Sequence, residues 1–367
     1  MRKTGLTLLK VVVSLGILAY IFTKVVDIRQ LWANLEEADL SYFVAAIMAF
    51  FLVQGLSAYR WYLLLKPQGI EVSYWKLLSY YFLGMYFNFF LPSAIGGDVF
   101  RVYYLNKETK RLSASTATVF LDRDIGMGGL VLVGTLVAWS SGTRLNGVLL
   151  APIFAAIGIV FVAVNLAIFY RPTYNLLHRV LSLFRMKRVD EKVERLFESV
   201  NCYRGKWGLL VSTLLISVGV QIGCALVNLL SANSIGLHTR NGWLDYLVFI
   251  PTIGLIGMAP VTVNGAGFRE AGYILLFKSV IDRVHGIPVS AGDPAIETAA
   301  ATLAVLWLGV MVATSLPGGI IYVARGGRKR DRIPDSIEEM AGISDAPDSP
   351  DMASRTSLSR HTSDSLY

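Results

Sequence analysis

Charge is scarce in this chain, and that scarcity excludes the most. Asp, Glu, Lys and Arg together make up 16% of the 367 residues, against 54% apolar residues. The mean hydropathy is +0.53. Neither a soluble globular domain nor a disordered chain has that balance, whereas a polytopic membrane protein does. Cysteine is scarcer still. Cys202 falls in a basic loop and Cys224 inside an apolar span, at no metal-type spacing, so no disulfide is expected. Four scattered histidines argue against a metal centre. There is no P-loop, no dinucleotide fingerprint and no grouping of Ser, His and Asp that pairs a nucleophile with a base. This argues against an ATP-driven pump and leaves no catalytic residue, metal or cofactor to nominate.

What is present is a set of apolar runs. A span needs about 20 residues to cross ~30 Å of hydrocarbon, and the stretches 5–25, 41–63, 114–140, 147–170, 207–232 and 297–324 qualify. The first follows Met1-Arg-Lys and reaches Val26 without a small-residue cleavage site, so it reads as an uncleaved span rather than a signal peptide. Two further apolar regions, 75–97 and 243–281, contain Pro and Gly breaks. The expected fold class is therefore an all-α polytopic membrane protein of six full spans plus two broken or re-entrant helical hairpins.

The breaks share a spelling. The first runs Pro92-Ser-Ala-Ile-Gly96-Gly97-Asp98-Val-Phe100-Arg101, the second Pro260-Val-Thr-Val-Asn264-Gly265-Ala-Gly267-Phe268-Arg269-Glu270. In both, Gly stands five residues after Pro, Phe eight and Arg nine. A broken helix with an Arg inside a membrane is costly unless it lines a cavity or a polar site, and a duplicated break points to two related halves.

The loop charges set an orientation. Arg2, Lys3 and Lys10 lie before the first span, while Asp27, Glu36, Glu37 and Asp39 dominate the loop after it. Arg60, Lys66 and Lys76 precede the first break, Arg101, Lys107, Lys110 and Arg111 follow it, and residues 171–206 hold nine Arg or Lys against four Asp or Glu. The positive-inside rule then puts both termini in the cytoplasm and accounts for the net charge of +8 without nucleic acid. Region 75–97 enters and leaves by the cytoplasmic face, and 243–281 by the outer face. With three crossings between them, the two motifs approach from opposite leaflets, which makes an inverted repeat an open reading. The alternative keeps the orientation but makes each motif a surface loop between two short spans. Residues 1–325 are expected to form the transmembrane domain and 326–367, rich in Ser, Asp and Pro, a disordered cytoplasmic tail.

Three constellations carry chemistry. Gly96-Gly97-Asp98 with Arg101 suits a phosphate: a helix restarting near Asp98 offers free N–H groups and Arg101 adds a planar donor fork. The competing reading is a helix end followed by an interfacial Arg. Asn264-Gly265-Ala-Gly267-Phe-Arg269-Glu270 repeats the break with an adjacent ion pair, against the alternative of an outer loop. Asp122-Arg123-Asp124 lies eight to ten residues into the third span. Either it faces the polar interior behind the first break, or the span begins near Ile125 and the triplet is interfacial. Its Asp-x-Asp spelling also fits a metal motif of membrane glycosyltransferases, but the outer loops are short. The aromatic run Tyr74, Trp75, Tyr80, Tyr81, Phe82, Tyr86, Phe87, Phe89 and Phe90 reads as an interfacial belt or as a cradle for acyl chains.

The stretch Asn88 to Leu105, spelling N-x-x-x-P-x-x-x-G-G-D-x-x-R, resembles the lysylphosphatidylglycerol synthase transmembrane-region family, flippase-like membrane domains related to the multipeptide resistance factor. Gly265-Ala-Gly267-Phe-Arg269-Glu270 resembles the family's second signature and Asp122-Arg123 its acidic-Arg pair. The resemblance covers about residues 5 to 325. It implies a translocase of the inner membrane for a lipid with a charged or phosphate-bearing head group. The head-group residues it implies are Asn88, Pro92, Gly96, Gly97, Asp98, Arg101, Asp122, Arg123, Asn264, Gly265, Gly267, Arg269 and Glu270. Full-length aminoacyl-phosphatidylglycerol synthases append a soluble aminoacyl-transferase domain, which this chain replaces with a polar tail. A separate lipid-modifying synthase is therefore an implied partner, and a polyprenyl-phosphate carrier stays open as substrate. On this reading Arg101 and Arg123 hold the phosphate at an inner half-site and Arg269 at an outer one, with Asp98 and Glu270 balancing charge or binding a proton. The rivals are a membrane enzyme of lipid or glycolipid modification and a non-transporting cell-envelope scaffold.

Overall fold

The computed structural model describes residues 12–90, 96–145, 148–169, 172, 197–258, 265–285, 287–290 and 293–324. Contacts divide the chain into Met1–Arg328 and Lys329–Tyr367. The second unit and the expected tail 326–367 lie outside the described residues, as do Pro92, Pro260 and Asn264.

Helices make up most of the described residues. They are α1 (Val12–Val25), α2 (Ile28–Glu36), α3 (Leu40–Leu65), α4 (Tyr74–Phe90), α5 (Gly96–Thr109), α6 (Leu112–Ser141), α7 (Leu150–Phe169), α8 (Trp207–Ser234), α9 (Trp243–Gly257), α10 (Phe268–Phe277) and α11 (Pro294–Ala324). Four are long and apolar enough to cross a membrane: α3, α6, α8 and α11. The apolar helices α1, α7 and α9 are shorter. The expected spans 41–63, 114–140, 207–232 and 297–324 thus have their helices.

Two features depart from expectation. The loop after the first span contains α2, a nine-residue helix that Asp27 caps through hydrogen bonds from the Arg29 and Gln30 amides. Short strands also occur, so the chain is not purely helical. β1 (Arg144–Leu145) pairs with β2 (Val148–Leu149). β4 (Ile281–Val284) pairs antiparallel with both β3 (His238–Thr239) and β5 (Ile287–Pro288).

Side-chain contacts define two ends of the bundle. At the basic end the Tyr203 hydroxyl donates to the Leu64 carbonyl at 2.5 Å. Gln68 donates to Ser199 O at 2.6 Å, and Arg111 to Gln68 O at 2.7 Å. At the far end the Asp39 amide donates to Ser234 O at 2.7 Å, and the Asp27 amide to the Thr298 hydroxyl at 3.3 Å. Asp39 also caps α3; the Ser41 hydroxyl and then its amide hold the Asp39 carboxyl below the ordinary range. Exposed tryptophans mark both ends: Trp75 and Trp207 at the basic one, Trp32, Trp139 and Trp243 at the far one. Trp at both rims of an apolar belt is the membrane-interface pattern. The other two are inside, Trp61 fully buried and Trp307 edge-on against Phe50 at 5.1 Å.

The two broken regions are helical hairpins that open to opposite ends. In the first, Lys76 near the start of α4 meets Glu108 near the end of α5 at 2.5 Å, and Tyr80 stacks on Tyr104 at 5.5 Å. The chain therefore enters α4 and leaves α5 at the basic end. In the second, α9 packs on α10, and the chain returns through β4 to pair with β3 at the far end. At 1.5 Å per residue α4 is about 26 Å long and α10 about 15 Å.

The hairpins close the same way. A Cβ at Gly97 would overlap the carbonyl oxygen of Gly84, and one at Gly265 would stand 2.8 Å from the carbonyl oxygen of Gly257. Both glycines occupy the fifth place after the motif proline. Each lets a helix approach the backbone of its partner, and Gly265 also adopts φ +76°, open to glycine at little cost.

Candidate functional site

The first hairpin positions its polar groups from the elbow inward. The Asn88 side-chain oxygen accepts the Gly97 amide at 2.7 Å, satisfying one of the four free N–H groups of the α5 N-terminus. The helix resumes at Gly96, slightly before the expected Asp98. Gly96, Gly97, Asp98 and Arg101 are all buried.

Arg101 is the hub. Its Nη1 donates to Asp98 Oδ1 at 3.2 Å and its Nη2 to Asp122 Oδ2 at 2.7 Å. The guanidinium lies between two rings, 4.1 Å from the centre of Trp61 and 4.6 Å from that of Tyr81. A planar cation between π faces is favourable where water is excluded, and Lys would not reproduce it. The other Asp122 oxygen accepts from Arg60 Nε at 2.8 Å, and Arg60 Nη1 donates to Ser217 Oγ at 2.8 Å. Gly126 makes room for Arg60: a Cβ there would lie 3.2 Å from Nη1. Arg123 pairs through Nε with the remaining oxygen of Asp98. Three guanidinium groups thus meet two carboxylates, a net of +1 for the five groups. Such a network holds its geometry because no member can leave without stranding another charge.

Arg60 is the residue the sequence reading missed. It was counted with Lys66 and Lys76 as a charge of the basic loop, yet it sits inside α3 at 5% exposure. The triplet Asp122-Arg123-Asp124 lies within α6, which runs unbroken from Leu112 to Ser141, and Asp122 is buried. Its members separate: Asp122 turns to α3 and α5, while Asp124 Oδ1 accepts from Asn165 of α7 at 3.2 Å. Arg101 lies within α5, past its first turn, and is buried, so it does not follow a helix end. Much of the aromatic run packs the hairpin itself, with Phe87 stacked on Phe100 at 3.8 Å and Tyr81 over Arg101, whereas Trp75 is exposed as a belt residue should be. The Phe89 and Phe90 side chains lie outside the described residues.

The second hairpin is simpler. Gly267, at φ +88°, donates its amide to Glu270 Oε2 at 2.6 Å, a carboxylate cap on the first turn of α10. Glu270 Oε1 accepts from Arg269 Nη2 at 2.9 Å, and Arg269 Nη1 approaches Met311 Sδ at 3.4 Å. Glu270 is buried and the Arg269 side chain is 13% exposed, so this is not an outer-loop ion pair. One turn on, the Tyr273 hydroxyl donates to Asn228 of α8 at 2.5 Å. Arg101 and Arg269 share one further property: each has a buried Nε without a hydrogen-bond partner among the described residues.

A cleft of about 490 Å³ opens at the basic end, lined by Gly69, Glu71, Lys76, Glu108, Thr109 and Arg111 among others. Glu108 stands seven residues after Arg101 on α5, about 10 Å along the axis.

The family model "Lysylphosphatidylglycerol synthase TM region" matches residues 7–305. A UPF0104 membrane protein of Pyrococcus horikoshii is 31% identical over 102 residues, covering 25% of this chain and 30% of the relative. Another from Methanothermobacter thermautotrophicus is 28% identical over 143 residues, covering 37% of this chain and 41% of the relative. Less than half of either relative's length is therefore matched. The family match takes in both hairpins and the helices between them, and the chain belongs to the lysylphosphatidylglycerol synthase transmembrane-region family.

Proposed function

We propose that the chain is a lipid translocase that carries a phosphate-bearing lipid, a phospholipid or a polyprenyl phosphate, between leaflets of the inner membrane. The observation that carries this reading is the cluster around Arg101. It gathers the buried Arg60, Arg101, Asp98 and Asp122 with the partly exposed Arg123 near the elbow of the first hairpin. Arginines brought together among apolar helices are costly unless anions join them. A phosphate satisfies the planar donor forks of arginine. Arg123, with its side chain 41% exposed, and the cleft beside Glu108 offer the approach.

The second hairpin supplies the opposite half-site, with Arg269 as its donor and Glu270 as its fixed counter-charge. The two hairpins open to opposite ends, as an inverted repeat requires. With the basic end cytoplasmic, both termini are cytoplasmic and Arg101 serves the inner leaflet. Asn88, Pro92, Gly96 and Gly97 shape the first elbow, and Asn264, Gly265 and Gly267 the second.

The test uses purified protein in liposomes with a fluorescent phospholipid or prenyl phosphate in one leaflet. A translocase equilibrates the leaflets and leaves the lipid mass unchanged. Arg101→Ala and Arg269→Ala each reduce the rate to that of protein-free liposomes. Wild-type rates in both variants would remove the half-site reading, and a changed lipid mass would favour an enzyme.

A further inference from the structure

We propose that Asp124, with Asn165 beside it, is a proton-binding site between α6 and α7, and that its proton couples lipid movement to the pH difference across the membrane. The second part rests on the translocase reading; the first does not.

Successive residues on an α-helix point about 100° apart. Asp122 and Asp124 therefore face away from each other, and the structure gives them unlike surroundings. Asp122 is held by Arg60 and Arg101. Asp124 is half-buried against α7, and its one partner among the described residues is Asn165, which donates from Nδ2 at 3.2 Å. The same Nδ2 also donates to the Phe161 carbonyl at 3.1 Å.

Among the described residues, no cation of the neighbouring helices is bonded to Asp124. α7 carries no ionisable side chain between Leu150 and Phe169, and α8 carries only Cys224. On α6 itself the other two charges are engaged, Asp122 as above and Arg123 with Asp98. Arg60 of α3 and Arg101 of α5 are tied to Asp122, and Asp245 of α9 lies at the far end, bonded to Asn241. The position is twelve residues beyond Leu112, about 18 Å along the axis. A carboxylate placed there with one neutral donor among the described residues is poorly compensated, and an intramembrane acid of that kind is a candidate proton or ion relay.

Asn165 can serve both forms. Its N–H donates to the carboxylate; when a proton from water joins Asp124, the amide turns and its oxygen accepts the new O–H. The turn also gives up the Nδ2 bond to the Phe161 carbonyl. Loss of that proton places a negative charge one residue from Arg123 and competes with Asp98 for it. In this way an event on the α7 side reaches the Arg101 cluster.

Infrared difference spectra of the full chain in lipid nanodiscs, between about pH 5 and about pH 9, test the site, since exposed carboxyls are ionised over that range. Wild type should show a carboxylic-acid carbonyl band that titrates. Asp124→Asn should lack it, and Asn165→Ala should shift its frequency. An unchanged band in Asp124→Asn overturns the site, as does a band that sodium displaces at constant pH, which would mark a metal-ion site. Asp124→Ala and size-exclusion profiles guard against a folding defect. In liposomes a single titrating carboxyl gives up to about tenfold change in lipid flux per pH unit. Asp124→Asn should keep flux and lose that dependence; wild-type pH dependence in the variant overturns the coupling. If wild type moves no lipid but the band titrates, the translocase reading fails and the proton site stands.

Discussion

The arginine of the first hairpin meets two carboxylates and two aromatic rings; that of the second meets one carboxylate and a thioether. The motif spells the same Pro, Gly, Phe and Arg in both, and the same glycine position presses against the preceding helix. Backbone shape is therefore shared while electrostatics is not. The first cluster carries a net +1 over five groups, whereas Arg269 and Glu270 cancel. The acidic partner explains the divergence: Asp98 stands three residues before Arg101, Glu270 one residue after Arg269.

The largest effect expected is on the first cluster alone. Asp122→Ala leaves Arg60 and Arg101 without their shared carboxylate and should cost about 3–5 kcal/mol, read as a lowered unfolding midpoint in detergent. Glu270→Ala strands one arginine rather than two and should cost less. Equal losses would erase the contrast. Next comes the shared feature: Gly97→Ala and Gly265→Ala should each destabilise by about 1–3 kcal/mol, because a methyl group meets partner backbone that has little room to yield. If Gly97→Ala is neutral, the two helices of the first hairpin are not in backbone contact.

Arg101→Lys and Arg269→Lys sharpen the comparison on function. Lys at 101 loses the fork and the ring sandwich and should lower lipid flux about tenfold or more. Lys at 269 retains a charge for Glu270 and should lower it less. The smallest effect belongs to Asn88→Ala, which removes a cap and should cost about 1 kcal/mol. Thermal melts in detergent check it, and no comparable loss is expected in the second hairpin, whose cap is Glu270.

The sequence was readable where signals are local. Apolar run length placed α3, α6, α8 and α11, and loop charge assigned the two ends to which the hairpins open. The motif placed Arg101 and Arg269 at their elbows. What escaped it was pairing at a distance. Arg60 precedes a basic turn and looks like part of it; its role depends on Asp122, 62 residues away. Asp124 differs from Asp122 only through Asn165, 41 residues on. The strands β3 and β4 are too short to show a period and exist because two chain segments meet at the far end. α2 was legible in principle, with Asp27 as its cap, but nine residues between two spans read as a loop.

The backbone contact at Gly84 and Gly97 has a mechanical consequence. Two helices touching there, and again through Phe87 on Phe100, Tyr80 on Tyr104 and Lys76 on Glu108, form one lever rather than a pair of independent rods. Any tilt that shifts Arg101 must swing the Lys76–Glu108 tip as well. A spin label on the exposed ring position Trp75 would therefore record, from the water side, what the guanidinium does out of reach.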